Sequence, residues 1–139
     1  MQIVPLIQYP NQELMCILDN QNCTIRVTVR SGYTFLDLRV DDTVIREGQL
    51  CDPWSWVLAT PNDFKGNFML IDTARTISAQ ERAQYDGLGD RWVLYYFTEE
   101  EAAEVDRLWR LSAEEYTEEE IIKLGYGLGA YGIMRYGLY

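Results

Sequence analysis

The longest regular pattern in the chain runs from Thr24 to Leu50, TIRVTVRSGYTFLDLRVDDTVIREGQL. Ile25, Val27 and Val29 alternate with Thr24, Arg26, Thr28 and Arg30. A period of two sends the first set to one face of a strand and the second to the other. Ser31-Gly32 interrupts the run. Tyr33 to Val40 resumes it, with Thr34, Leu36, Leu38 and Val40 on one side and Tyr33, Phe35, Asp37 and Arg39 on the other. Asp41-Asp42 turns the chain again, and Thr43 to Arg46 is a third short run. Three alternating runs joined by tight connections predict an antiparallel meander with one dry and one wet face.

The flanking segments predict further short strands. Ile3 to Gln8 is apolar but carries Pro5, which suits an edge strand or one crossing to a neighbour. Pro10-Asn11 predicts a turn, Leu14 to Leu18 a compact apolar run, and Asp19 to Asn22 another turn. Cys51 to Asn62, with Pro53, Trp54, Trp56 and Pro61, reads as a covering loop holding a short extended piece at Trp56 to Ala59. Phe68 to Asp72 has the composition of a buried strand. Thr73 to Asp90 is polar and ends in the glycine-marked loop Tyr85 to Asp90. Trp92 to Phe97 (WVLYYF) is apolar on both faces, which predicts burial from two sides or against a partner chain.

At Thr98 the period changes. Thr98 followed by Glu99, Glu100 and Glu101 is an N-cap with acids in the first turn, where the helix dipole favours them. Ala102, Val105, Leu108, Trp109 and then Leu111 recur at helical spacing, so an amphipathic helix is expected. Ser112 is a break or a new cap. Thr117 with Glu118, Glu119 and Glu120 repeats the capping chemistry and predicts a second, shorter helix to about Leu124. Gly125 to Tyr139 (GYGLGAYGIMRYGLY) holds too many glycines for a solvent-exposed helix. Its tyrosines Tyr126, Tyr131, Tyr136 and Tyr139 are interface-type side chains, and docking on a partner or symmetry mate is the expectation, ahead of docking on its own domain or disorder.

Composition narrows the function classes. A chain of 139 residues, 47% apolar, is long enough for one domain with a core and an appendage. The net charge of -10 argues against direct binding to a nucleic-acid backbone or an anionic membrane surface. No histidine is present, which removes Ser-His-Asp and Cys-His catalysis and the commonest zinc ligand. Cys16, Cys23 and Cys51 have no metal-knuckle spacing; buried free thiols are expected, with a disulfide between two of them as the alternative. The N-terminus lacks a basic region and is cut by Pro5 and Pro10, so no signal peptide is expected, nor is any window apolar enough to cross a membrane as a helix. Synthesis in a reducing compartment is the default.

Other constellations carry bland readings first. Asp37, Asp41, Asp42 and Asp72 match no calcium loop and suit turn or surface roles better than a metal site or a glycosidase pair. Gly-Tyr-Gly-Leu-Gly-Ala lacks the strand-to-helix frame of a nucleotide fingerprint. Trp54, Trp56, Tyr95 and Phe97 fit core or interface packing better than a stacking platform. The acidic stretch Glu99 to Glu120 is a solvated face first, and otherwise a repulsive or complementary wall facing a channel or a basic neighbour.

The strand blocks also carry a family likeness. The patches are Pro10-Asn11-Gln12 with Cys23, then Phe35-Leu36-Asp37-Leu38-Arg39-Val40-Asp41, then Ile45-x-x-Gly48-x-x-Cys51. Phe64-x-Gly66-Asn67-Phe68-x-x-Ile71-Asp72-Thr73 and Tyr85-x-Gly87-Leu88-Gly89-x-Arg91-Trp92-x-Leu94-Tyr95-Tyr96 follow. In this order, over Ile3 to Phe97, the chain resembles the baseplate plug proteins of contractile-tailed bacteriophages. These are small β-rich proteins at the central hub that close the end of the tail tube. The resemblance implies a virion structural protein without catalytic residues. It would be present as several copies around the tail axis, beside hub, tail tube and tail-tip or spike proteins. Asp41-Asp42-Thr43 stands where the family usually has an Asp-Gly turn.

The combined expectation is a mainly β protein. It comprises a small antiparallel barrel or sandwich over residues 1–97 and a C-terminal helical extension with a Gly/Tyr-rich tail over 98–139. Its function would be plugging of the tail hub before DNA ejection, without enzyme activity, cofactor or metal. Its location would be the virion after assembly in the host cytoplasm. The alternative is a small adaptor module with no virion role. Phe35, Asp37, Gly48, Cys51, Gly66, Asp72, Gly87, Gly89 and Arg91 are the family-motif positions. Trp92, Tyr95, Trp109, Tyr126, Tyr131, Tyr136 and Tyr139 are the candidate interface.

Overall fold

The computed structural model of the chain describes residues 1–58, 63–75 and 81–112, with side chains up to residue 108. The predicted meander is a four-stranded antiparallel sheet, β2 (Asn11–Leu18), β3 (Gln21–Arg30), β4 (Tyr33–Val40) and β5 (Thr43–Leu50), in that spatial order. Its inner face is the predicted one: Ile25, Val27, Leu36 and Leu38 are buried, while Thr24, Arg26 and Arg39 point outward.

The turns follow from the residues that close them. Leu18 pairs with Gln21 around Asp19-Asn20, and Arg30 with Tyr33 around Ser31-Gly32. In both turns each central residue has positive φ (52° and 61°; 54° and 79°), which a type I′ turn requires. At Asp41-Asp42 only the first has positive φ, 55°, so this turn departs from the I′ pattern of the other two. The hairpin expected there stands, with Val40 opposite Thr43.

Two sequence boundaries shift. The third run continues past Arg46 to Leu50, because a bulge between the Leu36–Gln49 and Leu38–Arg46 pairs breaks the alternation without ending the strand. Asn11 is already in β2, and the apolar run Leu14 to Leu18 is half outward, with Met15 81% and Ile17 63% exposed.

The second sheet has three antiparallel strands in the order β1 (Gln2–Val4), β7 (Trp92–Phe97) and β6 (Asn67–Asp72). Among the described residues neither sheet closes on itself, so the fold is a sandwich and not a barrel. Val4, Phe68, Leu70, Trp92, Leu94 and Tyr96 face the meander and share its core. The alternate residues Met69, Ile71, Val93, Tyr95 and Phe97 form a second core with Met1, Trp54 and Val105. Helix α1 (Glu99–Ser112) lies on that side, so the three-stranded sheet is the middle of three layers. That is why WVLYYF reads as a continuous apolar run: it is buried from two sides within one chain.

Helix α1 starts as its sequence predicts. Thr98 Oγ1 accepts from the Glu101 amide at 3.2 Å, and Glu101 Oε1 accepts from the Thr98 amide at 2.9 Å, a reciprocal capping box. The other Glu101 oxygen meets the Met1 ammonium group. Val105 and Leu108 are buried beneath the helix, and Asp106 accepts a 2.9 Å bond from the Trp56 indole. The covering loop pairs onto the outer side of β6, through Trp54 N to Leu70 O at 2.8 Å and Val57 N to Phe68 O at 2.9 Å. The second predicted helix and the Gly/Tyr segment lie outside the described residues.

Candidate functional site

Asp72 ends β6 and lies in register with Trp92 at the start of β7, which brings Arg91 beside it. Arg91 Nε donates to Asp72 Oδ1 at 2.8 Å and Nη2 to Oδ2 at 2.9 Å, a bidentate pair. The amides of Ala74 (3.0 Å) and Glu81 (3.1 Å) also donate to this fully buried carboxylate. Burial alone would raise the Asp72 pKa. The Arg91 hydrogen bonds and the two amides outweigh it and hold the carboxyl below the usual carboxylate range. Arg91 is correspondingly raised, chiefly by its bonds to Asp72. Its guanidinium also lies 4.3 Å from the Trp92 ring centroid. Every lone-pair direction this ionised carboxylate offers is engaged in holding the β6–β7 end, which is a structural clamp and not a poised acid or base.

The remaining motif positions resolve the same way. Asp37 sits opposite the β5 bulge, where its carboxylate accepts from the Gly48 amide at 2.6 Å. Gly48 has φ of 62°, the left-handed residue on which the bulge turns. Gly89 has φ of 79°, and a Cβ there would lie 2.3 Å from the Leu6 carbonyl oxygen. Gly87 backs onto the Trp92 indole and Gly66 onto the Tyr96 ring. Tyr96 in turn donates its hydroxyl to the Lys65 carbonyl at 2.6 Å. Cys51 is buried and its amide bonds the Thr34 carbonyl at 2.8 Å. Half-buried Phe35 lies under the Arg30 guanidinium, 4.6 Å from the ring centroid.

All three cysteines are free thiols, although Cys16 and Cys23 are directly opposed across β2 and β3. Burial pushes the Cys23 thiol up to about 11, with Cys16 adding to it, and pushes Cys51 up to about 12. At neutral pH these are protonated, unreactive groups. Asp37, Asp41 and Asp72 lie apart in different contacts, with Asp41 accepting from the Asn22 side chain at 3.1 Å. Among the described residues no group of three or more Cys, Asp or Glu side chains is placed to hold a metal ion.

Two candidate interface residues are corrected. Trp92 and Tyr95 are 4% and 2% exposed, Trp92 between the two sheets and Tyr95 under the helix, so neither is presented to a partner. Sequence could not distinguish these sites because β7 is covered on both faces by its own chain. Trp54, Trp56 and Phe97 likewise pack against the three-stranded sheet, Trp56 edge-on to Phe97 at 5.2 Å between centroids, which leaves no stacking platform. The Trp109 side chain and Tyr126, Tyr131, Tyr136 and Tyr139 lie outside the described residues.

The exposed apolar surface is one the aromatic signal did not mark. The outer face of β2–β5 carries Arg26, Asp37, Arg39 and Arg46 around a small charged hollow. Beside it a shallow hollow of about 530 Å³ is lined by Met15, Ile17, Asn22, Asp41 and Asp42. Ile7 and Tyr9, 54% and 62% exposed, adjoin the start of β2, where the Gln12 side chain bonds the carbonyls of both. Apolar residues exposed in sequence along one strand edge mark a contact surface more than isolated ones do. Alternation in the letters does not mark it, because Leu14 to Leu18 is apolar at every position; the β2–β3 register is what turns Met15 and Ile17 outward.

Known proteins supply a match. A family model described as the cyanophage baseplate Pam3 plug gp18 matches residues 1–100, which span both sheets and end in the first turn of α1. The search of curated proteins returns no match. The matched span contains every motif position named above and covers more than half of the chain, and on that ground the protein belongs to the phage baseplate plug family, a family of virion structural proteins.

Proposed function

We propose that this protein plugs the central hub of the tail before DNA ejection, without enzyme activity. In this reading it is held by hub, tail tube and tail-tip or spike proteins, and several copies surround the tail axis. It would assemble in the host cytoplasm. The observation that carries the reading is the coincidence of the family match with the complete sandwich. The motif residues inside it are engaged in clamps, bulges and close packing, as a rigid stopper requires, and the free surface is an apolar strand edge suited to assembly.

Charge supports a further part of it. Glu99 and Glu100 are exposed at the start of α1, at the head of the acidic stretch to Glu120. An acidic wall facing the tube lumen would repel DNA and ease its passage once the plug opens. Glu99 to Glu120 turned away from the tube axis in the assembled tail would refute that part. The main reading is tested with particles assembled without this protein. They are expected to lose packaged DNA or to carry unclosed tubes; particles that retain DNA normally behind a closed hub would overturn it.

A further inference from the structure

The two edges of the meander are not alike. At the β5 edge the strand is bulged at Gly48 and carries Arg46 and Glu47, devices that stop a further strand from adding. The β2 edge has neither the bulge nor the basic residue. It is eight residues long, unbulged, without proline or a basic residue, and Glu13 is its single charge. Among the described residues no strand pairs with its outer side.

The register shows which groups are open. The two-residue turn makes Leu18–Gln21 a hydrogen-bonded pair, so Leu18, Cys16, Leu14 and Gln12 bond toward β3. The 2.7 Å bond from Val29 N to Pro10 O continues that series. The backbone groups of Ile17, Met15 and Glu13 therefore point out of the sheet. Their side chains stand on the outer face, and Met15 and Ile17 are its most exposed apolar groups.

The chain holds a segment with the matching pattern. In Gly125-Tyr126-Gly127-Leu128-Gly129-Ala130 every second residue is glycine, so as a strand it has side chains on one face only. Laid along β2 with Tyr126 and Leu128 on the outer face, they meet Met15 and Ile17 as cross-strand neighbours. Residues 125–139 contain no acid and one base, Arg135, a charge complementary to the hollow edged by Asp41 and Asp42. The donor is a second copy on grounds of reach. Helix α1 lies on the far side of the three-stranded sheet, two layers or roughly 20 Å from the meander. Of this linker only residues 117–124 carry helix signals, about 12 Å as a helix; with 113–116 extended the reach is about 25 Å, little more than the two-layer separation before any path around the edge of the intervening sheet is added.

We propose that residues 125–130 of one copy add as a fifth strand to the β2 edge of a neighbouring copy. The contact is heterologous, edge to tail, a kind that builds a ring around an axis when its rotation closes and a filament when it does not. It rests on the several-copy arrangement proposed above and deepens it by naming the contact.

The test uses full-length protein with the photo-cross-linker benzoylphenylalanine in place of Met15. Isotope-labelled and unlabelled copies are mixed, irradiated and mapped by mass spectrometry. The expected result is linkage of position 15 to residues 125–139 between heavy and light copies. Leu128→Asp should lower it about tenfold or more, the scale of one lost apolar contact against a buried charge. A second variant, Met15→Pro, removes one outward N–H and leaves the β2–β3 ladder intact; light scattering should show it shifted to monomer. Links confined to single copies, links to other segments only, or no effect of Leu128→Asp would overturn the inference. Self-association that survives both variants would overturn it while leaving the plug reading untouched.

Discussion

The two sheets are both antiparallel but differ in their surroundings. The three-stranded sheet is covered by the meander on one side and by Trp54, Met1 and α1 on the other, and every residue of β7 is buried. The meander is covered once, and its outer face keeps Met15 and Ile17 in contact with solvent. A sheet buried twice is a keel, whose residues answer for stability. A sheet buried once has a free face and edges, where contacts with other chains can form without disturbing the core.

A buried charge tests this contrast most severely. Ile71→Asp places a carboxylate in the second core and is expected to cost about 5 kcal/mol or more, abolishing the cooperative unfolding transition. Met15→Asp, the same charge on the open face, should stay within about 0.5 kcal/mol of the wild type by denaturant titration. Equal losses at both sites would erase the distinction.

Next is the clamp at the β6–β7 end. Arg91→Met leaves Asp72 buried with only its two amide donors and is expected to cost about 3 kcal/mol. Because the folded pKa of Asp72 is lowered, its stabilisation is complete above the unfolded carboxylate range near pH 4 and is lost as pH falls through the lower folded value. Denaturant titrations between pH 5 and about pH 2 should therefore show a smaller acid-dependent loss in Asp72→Asn than in the wild type.

Two glycines of similar φ separate the regions more finely. Gly89→Ala drives a Cβ into the Leu6 carbonyl and should cost about 2 kcal/mol or more. At Gly48 nothing lies within 4 Å, so Gly48→Ala should cost only the left-handed penalty, about 1 kcal/mol. The smallest difference is between two tryptophans. Trp92 donates to the Glu81 carbonyl at 3.0 Å, whereas the Trp54 indole N–H has no acceptor among the described residues. Trp92→Phe should cost about 1 kcal/mol more than Trp54→Phe by thermal unfolding.

Much of the meander was legible because one face is wet, so alternation survived in the letters. The same rule fails in β7, where two dry faces make an inner strand and an interface strand read alike; hence Trp92 and Tyr95 were misplaced. The bulge at Gly48 hid the second half of β5, since a register shift inverts the alternation after it. The capping box was readable from Thr98 and Glu101 because it is local. The Asp72–Arg91 pair joins residues 19 apart, and only the β6–β7 register brings them together. The site-like features, glycines and carboxylates alike, became structural once their partners were known.

The central claim is that the twice-buried sheet is the keel of a baseplate plug and the open meander face is its contact surface. Side-chain-resolution imaging of intact phage particles tests it most directly. The account predicts this sandwich at the end of the tail tube, with the outer face and β2 edge of the meander against neighbouring chains. Particles lacking the sandwich at that position, or holding it there with the meander face and β2 edge open to solvent in every copy, would contradict it.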